Sequence, residues 1–169
     1  MRDWDHHDRL HDGTPVFVRV LKPDDAALYA DFLAEVTSED MRLRFFAPLR
    51  KLRRELIDKL THLDPSSAMA FVALDENTGK LLGVVRLHYD DGKNGEYAIL
   101  LRSPLKGLGL GWLLMTRIIE YARAIGLQQI HGLVLAENAI MLKMCDEFGF
   151  NLADEPQERG VKRVTLALQ

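Results

Sequence analysis

Apolar side chains alternate with polar ones in short runs, then fall into a three-to-four-residue period, and these switches divide the chain into elements. Val16, Val18 and Val20 alternate with Phe17 and Arg19, the period of a strand. Pro23-Asp24-Asp25 opens a helix, because proline suits the first helical position and acids suit the positive end. Leu28, Phe32 and Val36 recur every fourth residue along it. Thr37 or Ser38 caps a second short helix through Phe46. A third helix, over about 54–63, sets Leu56, Leu60 and Leu63 on one side. Three strands in meander order follow at 68–74, 81–89 and 96–102, separated by the turn-rich stretches 75–79 and 90–95. Beyond the glycines at 107–111, Leu110, Leu113, Leu114, Ile118, Tyr121, Ala122 and Ile125 mark the buried face of a long helix that Gly126 ends. A strand at 128–135, a helix at 138–147 and a strand at 161–168 complete the pattern.

The order β-α-α-α-β-β-β-α-β-α-β predicts an α/β fold: a mixed, mostly antiparallel sheet flanked by helices. Strand 95–102, helix 109–125 and strand 128–135 form a βαβ unit, whose two strands are expected parallel with a right-handed crossover. Residues 1–13 are polar, with His6, His7 and His11 among aspartates and arginines, and read as an N-terminal extension or linker remnant. Residues 14–169 read as one domain.

Composition narrows the class. The 169 residues carry 22 Lys+Arg and 25 Asp+Glu, a formal charge of −3, with 47% hydrophobic and 28% charged residues. That is an ordinary globular composition, in a chain able to bury roughly 70% of its unfolded surface. Collagen-like, disordered and disulfide-scaffold readings are excluded. Cys145, the lone cysteine, cannot form an internal disulfide or a zinc site built on two cysteines. No apolar run approaches the ~20 residues that cross a bilayer, and the first thirteen residues lack the apolar core of a secretory signal. The reading is cytoplasmic, without a membrane, a metal or a nucleic-acid partner; the mildly acidic total leaves room for a local basic pocket.

The chemistry concentrates between a strand and the long helix. In Lys106-Gly107-Leu108-Gly109-Leu110-Gly111, glycine at every second position allows positive φ and close backbone approach, and reads either as an anion site formed by the N–H groups ahead of a helix or as a tight turn alone. Lys106 adds charge at the lip, and Arg102 is a second candidate. Trp112 stands where a dinucleotide fingerprint requires glycine, and the Walker A spacing is absent, so neither nucleotide motif applies.

Lys106-Gly107-Leu108-Gly109-Leu110-Gly111 resembles the Q/R-x-x-G-x-G/A acetyl-CoA signature of the GNAT N-acetyltransferases. Asn138-x-x-Met141 leading to Phe148-Gly149-Phe150 resembles their second motif. More narrowly, residues 95–102 running into 105–112 resemble the acetyltransferase domain of Pat-type bacterial protein lysine acetyltransferases. Lys106 stands in place of the usual Gln/Arg, and Cys145 where many GNAT enzymes carry a tyrosine acid. The resemblance implies a parallel strand pair that splays at a bulge in strand 95–102. Pantetheine would enter there as a pseudo-strand on the backbone of Ile99, Leu100 and Leu101. Arg102, Lys106 and the amides of Gly107, Leu108, Gly109, Leu110 and Gly111 would hold the pyrophosphate, and Asn138 would touch the pantetheine arm. Amides near Leu101 are the expected oxyanion donors.

The implied reaction is acyl transfer from acetyl-CoA to an amine. A lysine with pKa about 10.4 costs roughly 4–5 kcal/mol to deprotonate at pH 7. A placed carboxylate contributes about 10²–10⁴ in rate. Glu96 is the candidate base, on a strand face with Ala98 and Leu100, a small and an apolar neighbour expected to desolvate it. The same glutamate also reads as an exposed strand end; the Pat resemblance assigns it the base.

Other residues carry two readings each. Cys145 is either an acyl acceptor or acid for the thiolate, or a small buried hydrophobe on a helix with Met141, Leu142 and Phe148. His6, His7 and His11 read as an unstructured tail before a metal site; His131 and His88 read as core or cleft-wall residues before catalysts. Arg50-Lys51-Leu52-Arg53-Arg54 is a solvated helix start, or a rim for an acidic partner or the coenzyme's 3′-phosphate. Met41 to Phe46 and Leu49 are candidates to shape the acceptor groove. The Pat resemblance implies a protein substrate, an AMP-forming acyl-CoA synthetase that acetylation inactivates. The alternatives are a small-molecule amine acetyltransferase, favoured by an enclosed acidic pocket, and a non-catalytic acetyl-CoA sensor.

Overall fold

The computed structural model describes residues 4–45, 60–91 and 93–169. Its strands are β1 (His6–Arg9), β2 (Pro15–Val20), β3 (Ala68–Asp75), β4 (Leu81–Tyr89), β5 (Asn94–Leu101), β6 (Gln129–Leu135), β7 (Asn151–Asp154) and β8 (Val161–Ala167). Its helices are α1 (Ala26–Ala34), α2 (Ser38–Phe45), α3 (Leu110–Ala124) and α4 (Ala139–Phe148). Apart from its last positions, the expected helix over 54–63 lies outside the described residues, as do Phe46, Leu49 and the basic run 50–54.

The strands form one sheet in the order β1-β2-β3-β4-β5-β6-β8-β7. Every neighbouring pair is antiparallel except β5 and β6, the parallel pair joined through α3. This is the expected mixed sheet. Its alternation supplies two apolar faces. On one, Val18, Phe71, Val85 and Ile99 pack against Leu110, Leu114, Met115 and Ile118 of α3. On the other, Ala70, Val72 and Val84 meet Tyr29 and Phe32 of α1 and Met41 of α2, so Met41 is a core residue and not a groove wall. Each such Leu, Ile or Phe contributes about 1.5–3 kcal/mol on burial.

Local signals place the helix ends. The Thr37 hydroxyl accepts from the Asp40 N–H at 3.1 Å ahead of α2. Gly126, at φ 83°, follows α3. Ile125, expected on the buried face, is 40% exposed because the helix has ended by then, while Met115 and Ile119 fill the core instead.

Residues 4–13 are folded, which corrects their reading as an unstructured tail. β1 pairs with β2 from His6↔Val18 to Arg9↔Pro15. Leu10 is buried, and Trp4 packs on Tyr121 and Phe71 at centroid distances of 5.4 and 5.8 Å. The segment reads as polar because an edge strand exposes most of its side chains. β7 escaped notice for the same reason, being four exposed residues held at the opposite edge by β8.

Candidate active site

β5 and β6 are in register only over Asn94↔Gln129, Gly95↔Ile130 and Glu96↔His131. Beyond Glu96 they part, although each continues for several residues. The expected bulge in β5 is not the cause, since Leu101 to Gly95 pair with Gly83 to Tyr89 of β4 without interruption. At the next position stands the Tyr97 ring, laid against Gly132, where a Cβ would come within 2.5 Å of its Cε1. The Tyr97 hydroxyl lies 3.1 Å from Cys145 Sγ and 3.6 Å from Met141 Sδ on α4. A buried aromatic side chain thus occupies the space where the ladder would have continued.

The parting leaves one edge of β5 without a strand partner. Arg102 N–H donates to Leu82 at 2.9 Å and Asp90 N–H to Asn94 at 3.1 Å, so the even-numbered residues between them point their main-chain groups at β4. The groups of Ile99 and Leu101 therefore point into the gap, whereas those of Leu100 are spent on Val84. The Leu100 side chain instead joins the cleft beneath α1.

The glycine turn closes the open end of the gap. Gly107 and Gly109 have φ of 86° and 92°, conformations that disfavour any Cβ, and the Gly107 Cβ position is empty space. Gly109 is the N-cap of α3. The first helical bond runs from Leu113 N–H to Gly109, so the N–H groups of Leu110, Gly111 and Trp112 have no carbonyl a turn behind them. Leu110 buries its side chain completely, anchoring that turn. Leu108 is half-buried beside it. This fits an anionic diphosphate: positive-φ glycines, open space and a helix dipole at one point.

The two cations expected at the lip are engaged elsewhere. Arg102 is 3% exposed, with its guanidinium on Leu81 O at 2.6 Å, Asp31 at 2.6 Å and Glu35 at 2.5 Å, so it ties the end of β5 to α1. Lys106 Nζ meets Asp40 at 2.6 Å. Burial pushes the Asp40 carboxyl up, but Lys106 and the Ser103 hydroxyl outweigh it and hold Asp40 below the usual carboxylate range. Asn138 caps α4, accepting from Met141 N–H at 3.2 Å, and keeps its amide N–H groups for another partner.

Glu96 sits where the strands divide, on the face opposite Tyr97. Its side chain is 59% exposed, so Ala98 and Leu100 do not enclose it as expected. His131 is its neighbour, with Nε2 3.9 Å from the carboxylate. Burial, then the charge of Arg163, holds the His131 imidazole below its ordinary range, leaving it neutral at pH 7. Cross-strand from Ala98, buried Arg86 donates to Tyr29 Oη and to Leu60 O, both at 3.0 Å. Arg44 shares that cleft and feels Glu96; burial, then Arg86, pushes it down to about 10. The cleft beneath α1 is pinched to about 10 Å³, room for one water.

Cys145 is fully buried, and burial pushes its thiol up, which suits a packed residue and not a nucleophile. Among the described residues, no three His, Cys, Asp or Glu side chains gather as a metal site would require, and no helix is long and apolar enough to cross a membrane. The Glu96–His131 pairing was beyond sequence reading, because the register of two parallel strands thirty-odd residues apart leaves no local mark. The stack of Trp112 on Phe148, 3.8 Å between centroids, joins α3 to α4 and was missed for the same reason.

Comparison with known proteins places this geometry. The sequence pattern of the acetyltransferase (GNAT) family matches residues 30–150. The acetyltransferase PA5475 of Pseudomonas aeruginosa is 29% identical over 153 residues, covering 88% of this chain and 82% of that protein. The crystal structure of the GNAT domain of S. lividans PAT superposes with a TM-score of 0.89 at 26% identity, covering 97% of each chain. Spermidine N-acetyltransferase from Vibrio cholerae, in complex with CoA and spermine, shares the fold with a TM-score of 0.70 at 22% identity, over 90% of this chain and 95% of that one. A pattern match across well over half of the chain, on a fold shared end to end with one such domain, makes this protein a member of the GNAT acetyltransferase family, which uses acetyl-CoA.

Proposed function

We propose that the protein is an acetyl-CoA-dependent N-acetyltransferase acting on the ε-amine of protein lysines, with an AMP-forming acyl-CoA synthetase as acceptor and Glu96 as general base. The observation that carries this reading is the division of β5 from β6 immediately after Glu96 and His131, with the positive-φ glycine turn at the open end. When bound, acetyl-CoA supplies the activated acyl group. The main-chain groups of Ile99 and Leu101 would hold its pantetheine arm, with the Asn138 amide alongside. The amides of Gly107, Gly109, Leu110 and Gly111 would hold its diphosphate, near Lys106, while the Leu108 N–H is turned to Leu105 O. Glu96 then takes the proton of the incoming ammonium, which would otherwise cost roughly 4–5 kcal/mol at pH 7.

The surroundings of Glu96 support a protein acceptor. The carboxylate faces solvent in place of an enclosed acidic pocket. An open carboxylate is accessible to a lysine presented on the surface of another protein. The end-to-end likeness to a PAT domain adds to this support.

The test is incubation of the protein and acetyl-CoA with AMP-forming acyl-CoA synthetases, followed by mass mapping of lysines and measurement of free CoASH. A discrete acetylated lysine on a synthetase, with CoASH release above that given by spermidine or free amino acids, is the expected result. Release with small amines alone overturns the protein acceptor; saturable acetyl-CoA binding with no release from any amine identifies a sensor.

A further inference from the structure

The three histidines of the N-terminal segment have different surroundings. His6 Nε2 lies 3.3 Å from Asp8. His7 pairs with Glu76 and stacks on Phe17 at 4.7 Å. Among the described residues the exposed imidazole of His11 has no hydrogen-bond partner, although its position is the most constrained of the three. Its backbone N–H donates to Leu108 O at 2.9 Å, inside the glycine turn. Its ring lies over Gly109, where a Cβ would come within 2.7 Å of Nε2 and 3.1 Å of both Cδ2 and Cε1. The N-cap of α3 is therefore glycine for two reasons, its φ of 92° and the imidazole above it.

Beside the ring opens a cavity of about 370 Å³ between the N-terminal segment and α3. Arg117 holds Glu120 and Trp4 O through its terminal nitrogens, with Nε unpartnered in the interior, Arg9 holds Gly13 O, and Asp8 faces His6. On Gly109, at the mouth of the helix, the unpartnered side chain is that of His11. A ring kept only for packing would be covered, but this one is held by its main chain, solvated, and set on the N-cap glycine of α3.

We infer that His11 is a ligand of the coenzyme's diphosphate, its imidazole N–H donating to a phosphate oxygen held at the N-terminus of α3, so that the N-terminal strand forms one wall of the coenzyme site. The inference rests on the acetyl-CoA reading above. It concerns a residue outside the 30–150 segment that matches the family pattern. A hydrogen bond to a charged phosphate, lost without replacement, weakens binding roughly ten- to a hundredfold.

Calorimetric titration of the full chain with CoA, 3′-dephospho-CoA and pantetheine tests it, comparing wild type with His11→Leu and His11→Gln. Expected are a ten- to hundredfold weaker affinity of His11→Leu for CoA and for dephospho-CoA alike, unchanged weak binding of pantetheine, and recovery in His11→Gln, which retains a donor. Wild-type affinity in His11→Leu overturns the inference, as does a loss shared by pantetheine, which marks a packing role. A loss seen with CoA but not dephospho-CoA overturns the diphosphate assignment. No CoA binding by the wild type is the failure of the coenzyme reading itself, and is distinguishable from these.

Discussion

Glu96 and Tyr97 are adjacent in the chain, and the two-residue period of a strand turns them to opposite faces of the sheet. One presents a carboxylate to solvent beside His131; the other buries a phenol against Cys145. Burial pushes the Tyr97 phenol well up, so it stays protonated and its role is packing and hydrogen bonding. On the proposed mechanism, Glu96→Gln leaves CoA affinity nearly unchanged and lowers turnover by roughly a hundredfold or more, the lower end of what a general base contributes. Paired measurements of Kd and kcat check this, and a near-wild-type kcat removes Glu96 from the mechanism. The glycine turn was legible as a strand-to-helix junction because positive φ follows from residue type and spacing, whereas Glu96 was singled out as the base by the Pat resemblance. The fate of Arg102 and Lys106 was not legible: their charges were visible, but the carboxylates that bind them, Asp31, Glu35 and Asp40, lie more than sixty residues earlier.

At the scale of elements, β5, α3 and β6 were readable as a βαβ unit from their periods and their glycine punctuation. How far the two strands stay paired was not readable, because it depends on what fills the space between them. Tyr97 against Gly132 is that filling, and it makes a prediction. Gly132→Ala places a methyl inside the Tyr97 ring's contact distance. Overpacking of this kind costs about 1–3 kcal/mol, which for a chain of this size lowers Tm by about 2–12 °C. In a Tyr97→Ala background the same substitution is expected to cost much less, and equal costs in the two backgrounds would refute the contact as the cause. Differential scanning calorimetry of the four proteins decides it. The Asn138 cap, by contrast, was legible as a helix start, since a cap is a relation between residues three positions apart.

On the scale of the whole molecule, the N-terminal segment belongs to the folded unit. Removal of residues 1–13 strips β1 from the sheet edge and uncovers the site of Trp4 and Leu10. The expected loss is about 2–4 kcal/mol, from the ~1.5–3 kcal/mol that a buried leucine contributes and the partly buried indole beside it. Urea unfolding of the shortened chain reads this as a lower midpoint, whereas an unchanged midpoint would return the segment to the status of an extension.

The sequence by itself determined the order and kind of the main elements, the glycine turn ahead of α3 and the lone carboxylate at the start of β5. These are relations among residues close in the chain, written in periods of two and 3.6 and in turn chemistry. Tertiary structure alone decided which charges remain available, where β5 leaves β6, and that His11 comes to rest on Gly109. Each of those outcomes is a contact between segments brought together only by burying apolar faces, and a driving force proportional to buried area leaves no mark on which distant residue becomes the neighbour.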